Sequence, residues 1–574
     1  MNKRTNRLLT AVTIGSKVKV FNILIFQYLE DHILMVKITD DYITNQQLFT
    51  AAGIKVPRYD INQKVGATKW VHFGGGNLFR AFHTVVASRL LESGDLEAGV
   101  VVAETHNANV ANDVYNKYNN RTLRVITHAD GRFEKELIPA VSDAVFFSPS
   151  NPAGWHKLFS TFENSALQLA TFSITEKGYN LWDTHGNILP TVQDDIKRGP
   201  SAPKNNMAGL VALLFGRYKA GKYPMALVST DNFSQNGERL EKSVLTIAKG
   251  WQENGFVPTE FLDYLKDRAT ITFPFSMIDR ITPNPSETVS EQLKNDGFED
   301  YQIVQEGHTK FAAFSNTEEV HYLVIEDDFP NGRPAFEKTD VILADRDTVN
   351  KADEMKVTTC LNPLHTALAV NGSLLGFDSI SKEVSDPDML ALIKQIGYGE
   401  GLPVVTDPKV IDPREFIDQV ITKRLPNPFI PDKPQRIACD TSQKLAVRYG
   451  VTISHYADDP KRQPADLHFI PLVLATWCRY LMAVDDQGKS FAPSPDPLLS
   501  ELQPKVSDIK LGEKTDVHAH LKDILANKAI FGHNLYEVGL GERVEKYFES
   551  QISGIGAVRK TLEATLSKYA KEIK

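Results

Sequence analysis

The sequence predicts an α/β protein in which an N-terminal Rossmann-type doubly wound domain is followed by a mainly α-helical C-terminal domain. Three observations carry that expectation. Short apolar, β-branched runs alternate with helical stretches from about residue 68 to 330. A glycine triplet stands between the first run and the first helix. After about residue 335 the apolar residues recur at helical spacing. Strands alternating with helices are the pattern of a parallel sheet covered on both faces. A chain of 574 residues is also too long for one ordinary core.

Taken in order, residues 1–34 begin basic and contain the apolar run VFNILIF at 20–26. Gln27, Glu30, Asp31 and His32 break that run and no small-residue cleavage site follows, so a signal peptide is not indicated. We read 1–34 as a non-essential extension, with Met35 as the functional start. TKWVHF (68–73), GVVVAE (99–104), LRVITH (123–128), LATFSIT (169–175) and YPMALVST (223–230) read as buried strands. FPNGRPAFEKTD (329–340), rich in Pro, Gly and charge, reads as the linker, which sets expected domains of 35–335 and 336–574. Beyond it, ALAVNGSLLGF, PREFIDQVITKRL, SQKLAVRYGV and HFIPLVLATWCRYLMAV all show helical spacing.

Composition excludes several classes. Hydrophobic residues are 42% and charged residues 24%, a globular profile. The net charge of −8 offers no electrostatic footprint for nucleic acid or an anionic membrane. Three scattered cysteines, Cys360, Cys439 and Cys478, form no CxxC pair. They argue against a disulfide framework and a cysteine–zinc site, and for a reducing, cytoplasmic location. No apolar run reaches 18 residues, so no transmembrane helix is expected. Oligomeric state is not readable.

HFGGGNLFRAF (72–82) follows a strand and opens a helix, as a pyrophosphate-binding turn requires. Gly74, Gly75 and Gly76 fit the first two fingerprint positions, Arg80 and Ala81 lie near where the third glycine would come, and Asn77 and Arg80 join the glycines as cofactor-binding candidates. Glu104 ends the next strand, 28 residues past Gly76. A carboxylate there accepts hydrogen bonds from the adenosine ribose and repels a 2′-phosphate, which favours NAD over NADP. The plain alternatives are a structural turn and a capping glutamate. GLGERV (539–544) and GIGAVR (554–559) lack a preceding strand and read as turns between helices.

KVTTCLNPLHTALA (356–369) is the most informative stretch. Locally, Asn362 before Pro363 reads as a helix N-cap, with His365 one turn in. The chemical reading is a carbinol-oxidising centre. Such a centre needs a base for the hydroxyl proton and donors for the developing oxyanion. A lysine whose pKa is lowered can be that base without a metal.

At this point the chain resembles the polyol-specific long-chain dehydrogenases, the mannitol dehydrogenase family. The resemblance spans most of 68–480. It rests on GGGNLFRAFH (74–83), TEKGY (175–179), STDNFSQNG (229–237), MIDRITP (277–283), VIEDDFPNGRPAFE (324–337), KVTTCLNPLH (356–365) and RIACDTSQK (436–444) in that order. It implies a metal-independent NAD enzyme with Lys356 as acid/base, Asn232 and Asn362 on the oxyanion and His365 orienting the reacting oxygen. Five residues separate Lys356 from Asn362 where the family pattern has four. Arg436 and Lys444 match substrate-binding positions; eight apart, they would share a face if the segment is helical, and the alternative is a surface pair.

The expected substrate is a small sugar acid or sugar alcohol. D-fructuronate/D-mannonate comes first; mannitol/fructose and tagaturonate/altronate are alternatives. A non-catalytic NAD-sensing regulator would carry a DNA-binding module that the sequence does not show. A zinc alcohol dehydrogenase would need ligands that the three cysteines do not supply.

Overall fold

The computed structural model describes residues 35–573 apart from Val65, Thr184 and His308; the expected extension 1–34 lies outside the described residues. Six strands form a wholly parallel sheet: β1 (Trp70–Phe73), β2 (Val100–Glu104), β3 (Val141–Phe146), β4 (Leu169–Phe172), β5 (Met225–Ser229) and β6 (Ile271–Thr272). Their spatial order is β3-β2-β1-β4-β5-β6. This is the doubly wound dinucleotide order, and its switch point, where ligands bind, falls between β1 and β4. β1, β2, β4 and β5 are buried at every position, which is why they read as continuous apolar runs.

One predicted strand belongs elsewhere. LRVITH lies in Thr122–Thr127, which pairs antiparallel with Phe133–Ile138 and parallel with Phe314–Glu318 in a separate four-stranded sheet. The reason is local. Asp130-Gly131, with Gly131 at φ +89°, turns the chain straight back on itself, so no crossover helix intervenes.

The main helices are α1 (Thr84–Ser93), α2 (Asn236–Glu253), α3 (Arg346–Met355), α4 (Asn362–Leu375), α5 (Phe469–Tyr480) and α6 (Gly541–Gln551). α5 is apolar nearly all round and buried along its whole length. It packs against α4 and α6 and makes the centre of the helical domain. No helix among the described residues is long and apolar enough to cross a membrane.

A third, three-stranded sheet joins the two domains. Ser276–Asp279 pairs antiparallel with Tyr322–Glu326, which pairs parallel with Val341–Ala344. Side chains alternate across a strand, and here the alternation serves two cores. Met277 and Val324 pack into the helical-domain core, whereas Ile278, Leu323 and Ile325 pack into the core under β1 and α1.

Beside this sheet lies a buried ion triad. Arg424 Nη1 donates to both Asp279 oxygens at 3.0 and 2.8 Å, and its Nε donates to Glu318 Oε2 at 2.8 Å. All three residues are buried. The flanking carboxylates hold the guanidinium well above its ordinary pKa. Removing one member of a buried ion cluster strands the others, at a cost of about 3–5 kcal/mol. Arg424→Ala is therefore expected to destabilise by that amount, as a drop in the urea midpoint, while an exposed control such as Arg58→Ala stays near wild type. An unshifted midpoint would mean the triad contributes nothing.

Candidate active site

The glycine loop is built by close approaches. Gly74 sits at φ +102°, and a Cβ there would lie 2.2 Å from the Ser173 carbonyl oxygen at the end of β4. Only glycine permits both. A Cβ on Gly75 would lie 2.7 Å from Glu104 Oε2. The Gly75 N–H donates to that oxygen at 2.7 Å, and the Gly75 carbonyl accepts from Tyr115 Oη at 2.8 Å. Gly76 is exposed, and a Cβ on it would meet nothing within 4 Å. The helix opens at Asn77, so Gly76 marks the open mouth of the loop at a helix N-terminus.

The other expected loop residues are placed differently. Glu104 is 6% exposed, and its carboxylate accepts from the backbone N–H groups of Gly75, His106 and Asn107. It clamps the loop rather than standing free on the surface. Asn77 Nδ2 donates to the Pro283 carbonyl, tying the loop to MIDRITP. Arg80 does not reach the loop mouth. It is buried, with Nε on Thr122 and Nη2 on the Ala312 carbonyl, and it joins α1's approach to the four-stranded sheet.

Across the switch point, α3 runs into a π-helical turn, Lys356–Cys360. Lys356 is 2% exposed. Its Nζ donates to Asn232 Oδ1 at 2.6 Å and to the Ile278 carbonyl at 3.2 Å, and it pairs with Asp353 at 3.2 Å. Asn232 is exposed at the end of β5, and its Oδ1 is engaged, so its Nδ2 faces outward as a donor. Its neighbour Asp231 fixes the TEKGY loop. It accepts from the Ile174 and Thr175 N–H groups at 2.9 Å and from Tyr179 Oη at 2.6 Å. Asn236 completes the STDNFSQNG segment by bonding Ser276 through both its amide atoms. Motifs without an evident chemical role thus form the scaffold that holds Asn232 against Lys356.

At the start of α4, Leu361 occupies the N-cap position and no side chain caps the helix. The local N-cap reading of Asn362 is corrected accordingly: it is the first helical residue, partly exposed, and its amide makes no hydrogen bond to the described residues. The His365 ring is likewise without a hydrogen bond. It is held to a pKa of about 4 by loss of hydration, with Asp432 opposing the fall and the Arg424 and Arg448 guanidiniums adding to it.

The expected common helical face of Arg436 and Lys444 is not formed. Pro434–Ile437 is one short helix, Asp440 is left-handed at φ +52°, and a 3-10 turn and then a π turn, Ala446–Gly450, follow. Arg436 is paired with Asp432, and Lys444 Nζ donates to the Cys439 carbonyl. The structure therefore brings Lys356 and Asn232 together at the entrance to α4, with Asn362 and His365 on its first turn. Asp279 lay in the MIDRITP motif without a role, whereas Arg424, Glu318 and Arg448 were not marked by any spacing and are recognisable only through their partners in space.

A doubly wound sheet with a glycine loop at its switch point, facing a buried lysine carried by a helical second domain, defines a two-domain Rossmann-type oxidoreductase. The chain belongs to the mannitol dehydrogenase family: the family's Rossmann domain matches residues 68–338 and its C-terminal domain residues 348–551. It is 47% identical to the D-mannonate oxidoreductase of Thermotoga maritima over 93% of this chain and 99% of that protein. It is 26% identical to a mannitol 2-dehydrogenase of Phaeosphaeria nodorum, over 92% of this chain and 85% of that one. Among solved structures, the Pseudomonas fluorescens mannitol 2-dehydrogenase ternary complex with NAD and D-mannitol superposes with a TM-score of 0.68 at 26% identity. That match covers 93% of this chain and all of that one.

His365 also generates a pH prediction. The unfolded chain binds a proton near pH 6.5 that the folded chain refuses until about 4, so stability falls as pH drops through that window. His365→Gln should remove up to one proton from the slope of unfolding free energy against pH between those values. The buried His72 and His83, also lowered by burial, keep their share. Urea titrations at stepped pH read the slope, and an unaltered slope would count against a neutral His365.

Proposed function

We propose that the protein is a metal-independent, NAD-dependent hexuronate reductase that interconverts D-fructuronate and D-mannonate. The observation that carries the chemistry is the 2.6 Å bond from Lys356 Nζ to Asn232 Oδ1, made from the turn that leads directly into the helix opening at Asn362 and carrying His365. The substrate choice is supported by the 47% identical D-mannonate oxidoreductase, matched over nearly its full length. The work is done in the cytoplasm on a small molecule, without nucleic acid or membrane.

The residues present fit the dinucleotide. Gly76 leaves space at a helix N-terminus, where free N–H groups and the helix dipole favour a pyrophosphate. The Glu104 carboxylate, at the end of β2 and anchored beneath the loop, would disfavour the extra phosphate of NADP through its negative charge. When bound, NAD(H) supplies or accepts the hydride.

The rest is done by this chain. In reduction, Lys356 Nζ gives its proton to the carbonyl oxygen; in oxidation it takes the hydroxyl proton back. The Ile278 carbonyl and Asp353 fix Nζ in place. Asn232 Nδ2 and the Asn362 amide donate to the developing oxyanion, and preorganised donors of this kind contribute more than any other single effect. His365, neutral at working pH, orients the same oxygen. Five residues rather than four separate Lys356 from Asn362, and a π turn is one residue longer than an α turn, so this turn accommodates the difference in register.

Two measurements test this reading. NADH oxidation is followed with D-fructuronate, D-tagaturonate and D-fructose, for wild type and Lys356→Ala. Fructuronate should be the best substrate, and the variant should lose about 10²–10⁴-fold in kcat. Fructose as best substrate would move the assignment to a mannitol dehydrogenase, and an active variant would remove Lys356 from the mechanism. For the cofactor, Gly76→Ala should unfold like wild type, since its Cβ meets open space, yet bind NADH roughly tenfold more weakly, a change of about 1.4 kcal/mol. Equal NADH affinity would place the dinucleotide elsewhere.

A further inference from the structure

Three cations lie on the stretch that faces the first turn of α4, and they differ in what they already hold. Arg436 has a side chain 62% exposed and is paired with Asp432. Lys444 is half-buried and donates to a backbone carbonyl, that of Cys439. Arg448 is partly buried and spends a single N–H on a neutral group, Nη1 to Thr366 Oγ1 at 2.5 Å. Among the described residues, neither Lys444 nor Arg448 has a carboxylate within ion-pair distance. Asp440 and, more weakly, Asp496 act on Lys444 from further off, and Asp496 is held by Ser442 through both its oxygens.

The position of Arg448 is set by packing. Tyr449 Oη donates to the Pro363 carbonyl at 2.6 Å, and Thr452 Oγ1 donates to the Thr358 carbonyl at 3.3 Å. These bonds pin the π turn Ala446–Gly450 against the two segments that carry Lys356 and His365. Thr366, the residue Arg448 touches, follows His365 directly. Arg448 therefore stands at the same helix turn as Asn362 and His365.

A guanidinium removed from water without an anion is costly, and burial pushes Arg448 down to about 10. Lys444 is lowered too, by burial first and then by Arg448 beside it. Two adjacent cations with no acid partner form a site that an anion stabilises. A planar guanidinium with four of its five N–H donors uncommitted suits a carboxylate, which it can grip through two parallel bonds.

We propose that Arg448, with Lys444 beside it, receives the carboxylate of the sugar-acid substrate and so selects hexuronates over neutral ketoses. This rests on the hexuronate reading above. In a ketohexuronate the carboxyl group stands at the opposite end of the chain from the carbonyl. With the carbonyl oxygen at Lys356, Asn232 and Asn362, the other end reaches for the cations around α4's first turn. Arg436, already neutralised by Asp432, is not needed for this recognition.

The test compares wild type, Arg448→Gln and Arg448→Lys with D-fructuronate and D-fructose, alongside thermal unfolding and NADH binding. A hydrogen-bonded charge pair lost from a site lowers binding by roughly 10–100-fold. Arg448→Gln should raise KM for fructuronate by that factor, with a much smaller effect on kcat. The ratio of kcat/KM for fructuronate over fructose should fall accordingly, and Arg448→Lys should recover part of it. Wild type that turns over no hexuronate would sink the substrate reading itself. Wild type that reduces fructuronate, together with a ratio that neither variant changes, would overturn the role of Arg448 and leave the substrate reading standing. A parallel loss on both substrates in both variants would likewise reduce Arg448 to a structural residue.

Discussion

A lysine buried to 2% at the seam of two cores must have partners, and much of the structure is arranged to provide them. Lys356 Nζ takes one acceptor from the segment after β5, one from the three-stranded sheet and one from its own helix: Asn232, the Ile278 carbonyl and Asp353. Asn232 is held in turn because Asp231 locks the loop after β4. Ile278 is held because its strand is shared by both cores. The position of the lysine nitrogen thus depends on contacts from both domains.

The strand Ser276–Asp279 concentrates these demands. Met277 faces the helical domain, Ile278 packs into the other core while its carbonyl binds Lys356, Asp279 binds Arg424, and Ser276 is bound by Asn236. Four consecutive residues are each committed to a different partner, which explains why a segment without reacting groups belongs to the motif set. The glycine loop shows the same division of labour. Gly74 allows β1 to approach β4, Gly75 admits the Glu104 clamp, and Gly76 keeps the mouth open. A single sequence signature here contains three separate steric requirements.

Much of this was legible in the chain. Uninterrupted apolar runs marked the doubly buried parallel strands, because such strands have no polar face to break the run. The glycine turn and the helical texture after 335 marked the two domains. The antiparallel placing of Thr122–Thr127 was not legible, since an apolar run does not declare its sheet. Nor was the fate of Arg80, whose guanidinium turns inward to Thr122 and Ala312. Spacing put Arg436 and Lys444 on one face only on the assumption of a continuous helix, and a left-handed Asp440 breaks it.

The sequence by itself determined the fold class and the family, because periodicity, glycine turns and ordered motifs are properties of neighbouring residues. Tertiary structure decided which polar groups are spoken for and which remain free. Glu104 became a clamp, Arg436 a neutralised pair, Arg424 the centre of a buried triad, and Asn362, His365 and Arg448 were left with capacity to bind. That distinction depends on partners as far apart as Arg424 and Asp279, and electrostatics acts through space rather than along the chain.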